Sequence, residues 1–326
     1  MIWLWVGFTV FIVLMLALDL GVFHGKAHVV GFREAMFWSG VWIFLSLAFT
    51  VLVYFVYEKQ WMGIGAGQDI SGGREAAVLY LTGYLVEYSL SLDNIFVIAT
   101  IFSFFAVPSA YQHRVLFWGI LSAMVLRAAM IAGGSALIHR FHWILYVFGA
   151  FLIFSAVRML TARHEGDLRT NPVVRFTRRL LPVTEDYHGQ RFFVRIDGRT
   201  TLTPLAMALI MVEAADIVFA LDSIPAIFAI TDIPFLVFTS NIFAIMGLRS
   251  LYFALANLLH RLRYLKISLA LLLAVVGVKM LLKDILHLLP GKTYWILGVI
   301  VVILLGGIIA SLLHPLHRPS EPERKR

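Results

Sequence analysis

Two stretches decide how this chain folds: Glu87-Tyr-Ser-Leu-Ser-Leu-Asp93-Asn94 and Glu213-Ala-Ala-Asp216-Ile-Val-Phe-Ala-Leu-Asp222-Ser223. Each lies inside an apolar run long enough to cross a bilayer. A carboxylate at that depth is costly and by default marks a functional site facing protein or water. The stretches also resemble one another. Aligning Leu92-Asp93-Asn94 with Leu221-Asp222-Ser223 sets Glu87 opposite Asp216, so each copy reads acid, five residues, acid, small polar residue. Matched copies point to one site built where two repeats meet.

The remainder of the 326 residues agrees with a membrane setting. The chain is 60% hydrophobic and 14% charged, with a mean hydropathy of +0.87, more apolar than a soluble domain of this length. Apolar runs at 2–23, 37–57, 77–104, 114–137, 142–160, 203–230, 234–256, 267–289 and 293–313 approach the roughly 20 residues that a ~30 Å hydrocarbon core requires. The expected fold is an all-α polytopic membrane protein with about nine transmembrane helices, since barrel strands would be shorter and would alternate apolar with polar. There is no cysteine, which excludes disulfides, thiolate metal sites and cysteine nucleophiles. The first run lacks a basic n-region and a small-residue cleavage site and reads as a retained span. The net charge of +8 fits loops facing anionic lipid, and nucleic acid is not an expected partner.

Orientation follows from Lys and Arg. With the N-terminus outside, 19 of the 27 basic residues fall in inside segments, five fall in outside segments and three lie within spans. The expectation is therefore N-out, C-in. Residues 1–57 hold two N-terminal transmembrane helices, and 77–160 the first three-helix repeat. Residues 161–202 are a cytoplasmic basic loop, 203–289 the second repeat, 293–313 a C-terminal transmembrane helix, and 314–326 a disordered cytoplasmic tail. Within the loop, Arg191-Phe-Phe-Val-Arg-Ile196, Asp197-Gly198 and Arg199-Thr-Thr-Leu-Thr203 read as a β-hairpin, with Asp-Gly supplying the positive φ of a tight turn.

The repeat extends past the acid stretches. Gly119-Ile-Leu-Ser-Ala-Met-Val-Leu-Arg127 matches Asn241-Ile-Phe-Ala-Ile-Met-Gly-Leu-Arg249, and Val157-Arg-Met-Leu160 matches Val278-Lys-Met-Leu281. Arg127 precedes Arg158 by 31 residues and Arg249 precedes Lys279 by 30. Spans three to five enter the membrane from outside and spans six to eight from inside, so the two three-helix repeats are inverted. Inverted repeats place substrate and ion sites near the midplane, at their interface. Asp19, also in a Leu-Asp pair, is a candidate member of a degenerate third copy.

Helical spacing sets Glu87, Ser91 and Asn94 on one face and Ser89 and Asp93 on another, while Glu213, Asp216 and Ser223 share a face beside Asp222. Pro225 removes a backbone donor, and a break near Asp222 would bring both acid sets to one cavity with freed carbonyls around it. The candidate metal ligands are Glu87, Asp93, Asn94, Glu213, Asp216, Asp222 and Ser223, with Asp19, Ser89, Ser91 and Asn241 behind them. All are oxygen donors, which suit hard divalent ions such as Mn²⁺, Mg²⁺ or Ca²⁺ better than Cu⁺ or Zn²⁺. Arg127, Arg249 and Lys279 are expected to compensate charge. Protonation of some acids would allow proton-coupled exchange, making protons the candidate coupling ion. The plainer alternative is a pair of buried structural ion pairs, Glu87 with Arg127 and Asp216 with Arg249. Asn241 then only bridges helices, and the serines only bond helix carbonyls.

These motifs resemble the TerC family of integral membrane proteins, in particular its Alx-like members. The carrying residues are Glu87-Tyr-Ser-Leu-Ser-Leu-Asp-Asn-Ile-Phe-Val97, Pro182-Val-Thr-Glu-Asp-Tyr-His-Gly-Gln-Arg-Phe-Phe193 and Glu213-Ala-Ala-Asp-Ile-Val-Phe-Ala-Leu-Asp-Ser-Ile-Pro-Ala226. Asp19-Leu-Gly-Val-Phe-His24 and Ser240-Asn-Ile-Phe-Ala-Ile-Met-Gly-Leu-Arg249 fit too. The resemblance implies manganese export, with an association with tellurium resistance and with alkaline or redox stress, and its intramembrane acids correspond to Glu87, Asp93, Glu213, Asp216 and Asp222. Ala214-Ala215 departs from a Phe-Thr type pair and leaves the acids intact. The expectation is a multi-pass protein of the bacterial inner (cell) membrane that exports a divalent ion, most readily Mn²⁺, and has no bound cofactor. A membrane scaffold or insertion factor in stress response is the alternative. An enzyme is not expected, because diphosphate-binding, His-Glu-x-x-His and serine-nucleophile signatures are missing.

Overall fold

The computed structural model describes residues 2–23, 30–65, 70–161, 171–196, 198–255, 264–286 and 292–313. In chain order these form α1 (Ile2–Phe23), α2 (Phe32–Glu58), α3 (Gly73–Phe104), α4 (Ser109–Arg140), α5 (Ile144–Thr161) and α6 (Pro172–Leu180). Strands β1 (Phe193–Ile196) and β2 (Arg199–Leu202) come next, then α7 (Pro204–Phe228), α8 (Pro234–Leu255), α9 (Leu265–Leu281), α10 (Lys283–Leu286) and α11 (Lys292–Leu313). Seven of these helices, α2, α3, α4, α5, α7, α8 and most of α11, are long and apolar enough to cross a membrane. The apolar part of α1, Trp3–Ala17, is shorter, as is the 17-residue α9.

Several boundaries differ from the apolar runs. α4 extends at both ends; at its start Tyr252 donates to Gln112 across 3.2 Å, and at its end His139 bonds the Ser135 carbonyl of the same helix at 2.7 Å. The run at 267–289 is divided. α9 closes at Leu281 and a separate short helix begins at Lys283, where Lys279, Lys283 and Asp284 interrupt the apolar sequence. The break anticipated at Pro225 is absent, and α7 continues unbroken to Phe228. Proline costs a helix one backbone bond and a clash in the preceding turn. Pro225 sits in the final turn, where little helix remains to be bent. The proposed tail at 314–326 and the side chain of Asp19 lie outside the described residues.

The connection between α5 and α7 is more structured than a loop. Asn171 caps α6, its Oδ1 accepting from the Val173 N–H at 2.9 Å, and Pro172 takes the first helical position, where its missing N–H costs nothing. β1 and β2 pair antiparallel from Phe193 opposite Leu202 to Ile196 opposite Arg199. Gly198 beside the turn has φ +77°. Asp197 lies outside the described residues. Thr203 then caps α7, accepting from the Ala206 N–H at 3.3 Å and donating to the Arg191 carbonyl at 2.7 Å. One buried threonine thus fixes the hairpin to the start of a spanning helix.

α8 occupies the centre. Residues Thr239, Ser240 and everything from Asn241 to Tyr252 are buried, as expected of a helix apolar on all sides. Trp5, Phe8 and Phe49 pack against Phe235, Phe238 and Phe243 with ring centroids 5.0–6.4 Å apart. Contacts along the helices give their relative directions. Gly83 lies by Ser240 and Tyr88 by Gly247, so α3 and α8 run parallel. Gly119 meets Val212 and Gly134 meets Phe228, so α4 and α7 run parallel. Gly83 also meets Ile227, while Glu87 and Ser223 share a partner in Arg127, which makes α3 and α7 antiparallel.

α5 and α9 are antiparallel as well, Gly149 meeting Leu281 and Gly277 meeting Ile153. They cross so closely that a Cβ on Gly277 would stand 2.9 Å from the Gly149 carbonyl oxygen, and one on Gly149 3.0 Å from the Gly277 carbonyl oxygen. Small residues let helix backbones approach where lipid offers no hydrophobic drive between helices. The opposing atoms are backbone and cannot rotate away. Gly277→Ala is therefore expected to cost about 1–3 kcal/mol and to lower the thermal unfolding midpoint in detergent. Gly133→Ala, which meets nothing within 4 Å, is expected to leave the midpoint unchanged.

Candidate functional site

The centre of the site is a cation. Arg127 on α4 is 1% exposed and donates from Nη1 to Glu87 Oε1 on α3 and from Nη2 to Asp216 Oδ1 on α7, the latter at 3.0 Å. Nη1 also reaches Ser223 Oγ at 3.4 Å and Asn241 Oδ1 at 3.3 Å. Glu87 and Asp216 are the paired first acids of the two sequence stretches, so one guanidinium bridges equivalent positions of both. The Asp216–Arg249 pair anticipated from sequence gives way to this arrangement. Arg127 reaches Asp216 because α4 lies alongside α7, whereas Arg249, also buried at 5% exposure, sits on the C-terminal half of α8.

The second acids lie beside this triad. A cavity of about 210 Å³ opens between α3, α5, α7 and α9, and its polar lining comprises Glu87, Asp93, Asn94, Arg127, Ser155, Arg158, Asp222 and Ser223. Asp93 and Asp222, matched in the two stretches, therefore face one space. Ser155 of α5 donates to Asp222 Oδ1 at 2.6 Å. Asp216 and Asn94 line a smaller cavity of about 30 Å³ toward α4 and α8. Asn94 and Phe219 line both spaces. Glu213 stands apart from both, its Oε1 accepting from Ser122 of α4.

Several oxygens here are buried with no hydrogen-bond partner: Glu87 Oε2, Ser91 Oγ, Asn94 Oδ1, Glu213 Oε2 and Asp216 Oδ2. A native interior rarely leaves such atoms unpaired, and each calls for a water, an ion or a functional explanation. Five carboxylates outnumber the two guanidinium groups, Arg127 and Arg158, that line the larger cavity, and the donor set is carboxylate, amide and hydroxyl oxygen. Among the described residues, however, no three His, Cys, Asp or Glu side chains stand close enough together to hold a metal between them. The triad holds one oxygen each of Glu87 and Asp216 on Arg127, and of these two acids only Glu87 shares the larger cavity with Asp93 and Asp222.

Of the remaining sequence candidates, Ser89 Oγ donates to the Leu85 carbonyl, the satisfied-helix alternative. Lys279 is half-buried on α9 and does not line either cavity. Ser122 and Ser155 were not singled out from sequence, because an isolated serine in an apolar helix most often bonds its own backbone. Arg158 was seen only as the counterpart of Lys279, and that matched charge was the available signal.

The matches to known proteins cover this whole arrangement. A family model described as "Integral membrane protein TerC family" matches residues 72–317, which includes both acid stretches, Arg127 and Ser155. An uncharacterized membrane protein of Myxococcus xanthus is 50% identical over 321 residues, covering 97% of this chain and 94% of its own. The "Putative membrane-bound redox modulator Alx" of Escherichia coli K12 is 46% identical over 288 residues, and that of Salmonella typhi 45% over 289, with 87% of each chain covered in both cases. No solved structure matches. This chain belongs to the TerC family of integral membrane proteins.

Proposed function

We propose that this protein is a secondary transporter of the bacterial cell (inner) membrane that exports a divalent metal ion, Mn²⁺ before others, by way of the cavity between α3, α5, α7 and α9. The observation that carries the reading is that Asp93 and Asp222, matched residues of the two stretches, line one cavity with Glu87 and Asn94. The antiparallel courses of α3 against α7 and α5 against α9 support an inverted-repeat origin for spans three to five and six to eight. In such folds the cargo site lies at the repeat interface. All nine long helices are then taken as spans, N-out and C-in, and the protein acts as a carrier, not an enzyme.

The chemistry supports a hard dication. The lining offers carboxylate and amide oxygens with neither thiol nor imidazole, the donor set of Mn²⁺, Mg²⁺ and Ca²⁺. A volume of about 210 Å³ holds several waters at ~30 Å³ each, so a cation can enter with part of its hydration shell and meet Asp93 and Asp222 first. Arg127 acts as a tethered cation. It neutralises Glu87 and Asp216 while no cargo is bound, which keeps the excess negative charge tolerable in a low-dielectric setting, and a dication drawing on Glu87 Oε2 competes with it. Protons on the second acids are the candidate counter-ion.

A second reading, a stress-response scaffold without transport, draws on the relatives named as redox modulators and on the folded basic connection between α5 and α7. The absence of cysteine removes thiol exchange as its means. A redox effect would have to act through a partner or through the metal pool.

Purified protein in proteoliposomes is expected to carry Mn²⁺ in preference to Mg²⁺, Ca²⁺ and Zn²⁺. Asp93→Asn and Asp222→Asn are each expected to cut the flux at least about tenfold, the equivalent of ~1.4 kcal/mol of ion binding, at unchanged membrane abundance. Wild-type flux in both variants would overturn this cavity as the ion's path, and no Mn²⁺ flux in the unsubstituted protein would overturn the export reading. Arg127→Gln leaves two buried carboxylates without a counter-charge and is expected to cost about 3–5 kcal/mol of stability, seen as a lower unfolding midpoint in detergent. Neutralising the triad together, in Glu87→Gln/Arg127→Gln/Asp216→Asn, is expected to recover most of that stability but not the flux. Full flux in the triple variant would make the triad structural only.

A further inference from the structure

α6 has three faces where a packed helix needs two. At 100° per residue, Val174 and Thr177 point one way and both are buried, Val174 in the apolar cluster that includes Leu202 of β2 and Leu205 and Ala206 at the start of α7. Arg175, Arg178 and Arg179 follow around the circumference, all exposed. Beyond them Phe176 and Leu180 form an i, i+4 pair that is 63% and 65% exposed. A surface helix with its apolar stripe already buried gains nothing from a second, bare stripe in water. That stripe adjoins three arginines at the level where α7 enters its spanning course.

The surroundings fix this face in place. The Tyr187 hydroxyl donates to the Phe105 carbonyl at the end of α3 across 2.7 Å, and burial raises its pKa, so it remains a donor. Arg114 at the start of α4 reaches Gln190 at 3.5 Å and lies 5.2 Å over the Phe192 ring. Leu202 N–H donates to the Pro182 carbonyl at 2.8 Å, and Thr184 N–H to the Leu202 carbonyl at 2.9 Å. The α6–hairpin segment is thus tied to the ends of α3, α4 and α7, and its height relative to the bilayer is set by the spanning helices.

We propose that α6 is an anionic-lipid-binding element. Arg175, Arg178 and Arg179 take the headgroup phosphates of the adjacent leaflet, and Phe176 and Leu180 insert at its acyl boundary. Arginine suits the role because its planar fork pairs two N–H groups with phosphate oxygens. An interfacial helix combining a basic sector with aromatic and aliphatic side chains binds by apolar burial and by attraction to anionic lipid together. Charge complementarity favours lipid over a soluble partner here. Among the described residues, the exposed acids of the segment, Glu185 and Asp186, lie outside α6, and none interrupts its arginine sector.

The absence of native cysteine allows a direct test on the full-length protein. A nitroxide attached after Leu180→Cys is followed in nanodiscs of phosphatidylcholine with increasing phosphatidylglycerol, by its accessibility to oxygen and to an aqueous nickel chelate. The expected result is that the label becomes shielded from the chelate and open to oxygen as phosphatidylglycerol rises. Each of Arg178→Gln and Arg179→Gln is expected to raise the phosphatidylglycerol fraction needed about fivefold. A nitroxide after Glu185→Cys stays in water throughout, and an unchanged spectral line shape there reports that the segment remains folded in the arginine variants. A position-180 label that stays water-accessible at every composition would overturn the proposal and leave this face to a soluble partner. Shielding that is equal in neutral lipid and indifferent to the arginines would overturn the headgroup role.

Discussion

The guanidinium of Arg127 lies between Glu87 of α3 and Asp216 of α7 with 1% of its surface exposed, and the placement of the inner helices depends on that burial. Moving an unpaired charge out of water into such a setting costs several kcal/mol even after relaxation. The three side chains are therefore tolerable only together, and only if α3, α4 and α7 hold their mutual rotation. Asn241 of α8 and Ser223 add two further acceptors, so four helices converge on one cation. Apolar packing around it is permissive by comparison, because phenylalanines and leucines facing lipid or one another can exchange places at little cost. The ionic centre supplies the register that such packing leaves undetermined.

At the same centre, matched positions of the two stretches take different partners. Glu87 and Asp216 are matched positions, yet both turn to the arginine of the first half, while Arg249 of the second half is buried elsewhere. Only one cation can occupy a point between equivalent acids, so a pseudo-symmetric pair of arginines must divide its roles. Ser122 and Ser155 also lack counterparts, since the matching positions of the second half are Ala244 and Val276. Glu213, held by Ser122, matches Tyr84 in the same way. The asymmetry therefore extends through the hydrogen-bond partners of the acids as well as the arginines.

What the sequence discloses follows from what is local. Apolar length located each of the long helices, and the Asp-Gly pair located the hairpin, because both depend on a few consecutive residues. The carboxylates stood out because charge is expensive at that depth whatever surrounds it. The start of α4 depends on a partner from another helix, Tyr252 at Gln112, and the unbroken course past Pro225 on distance from a helix end, neither of which hydropathy records. Site geometry suffers most from this. Helical phase sets Glu87 and Asp93 on different faces, but they line one cavity because a gap among several helices accepts a wide arc of each. Ser155 gave no signal at all, and its importance comes entirely from standing opposite Asp222.

Ser155 also links the cavity to the tightest helix crossing. It lies six residues beyond Gly149 on α5, where the α5 and α9 backbones are in near contact. A crossing of that kind cannot compress or slide without collision of carbonyl oxygens, so α5 and α9 are constrained to move as one body. Ser155 is carried with them, whereas its acceptor Asp222 belongs to α7, which packs along α4. Any displacement of the α5–α9 pair relative to α4–α7 must therefore lengthen or redirect the Ser155–Asp222 hydrogen bond. It must also change the width of the cavity, because Met159 and Leu273 on one side and Val218 and Phe219 on the other form its apolar walls. Closely packed interiors respond to such displacement by switching between discrete arrangements, not by continuous deformation. On the export reading, that switch couples the carboxylate's hydrogen-bond state to the width of the space the cation must traverse.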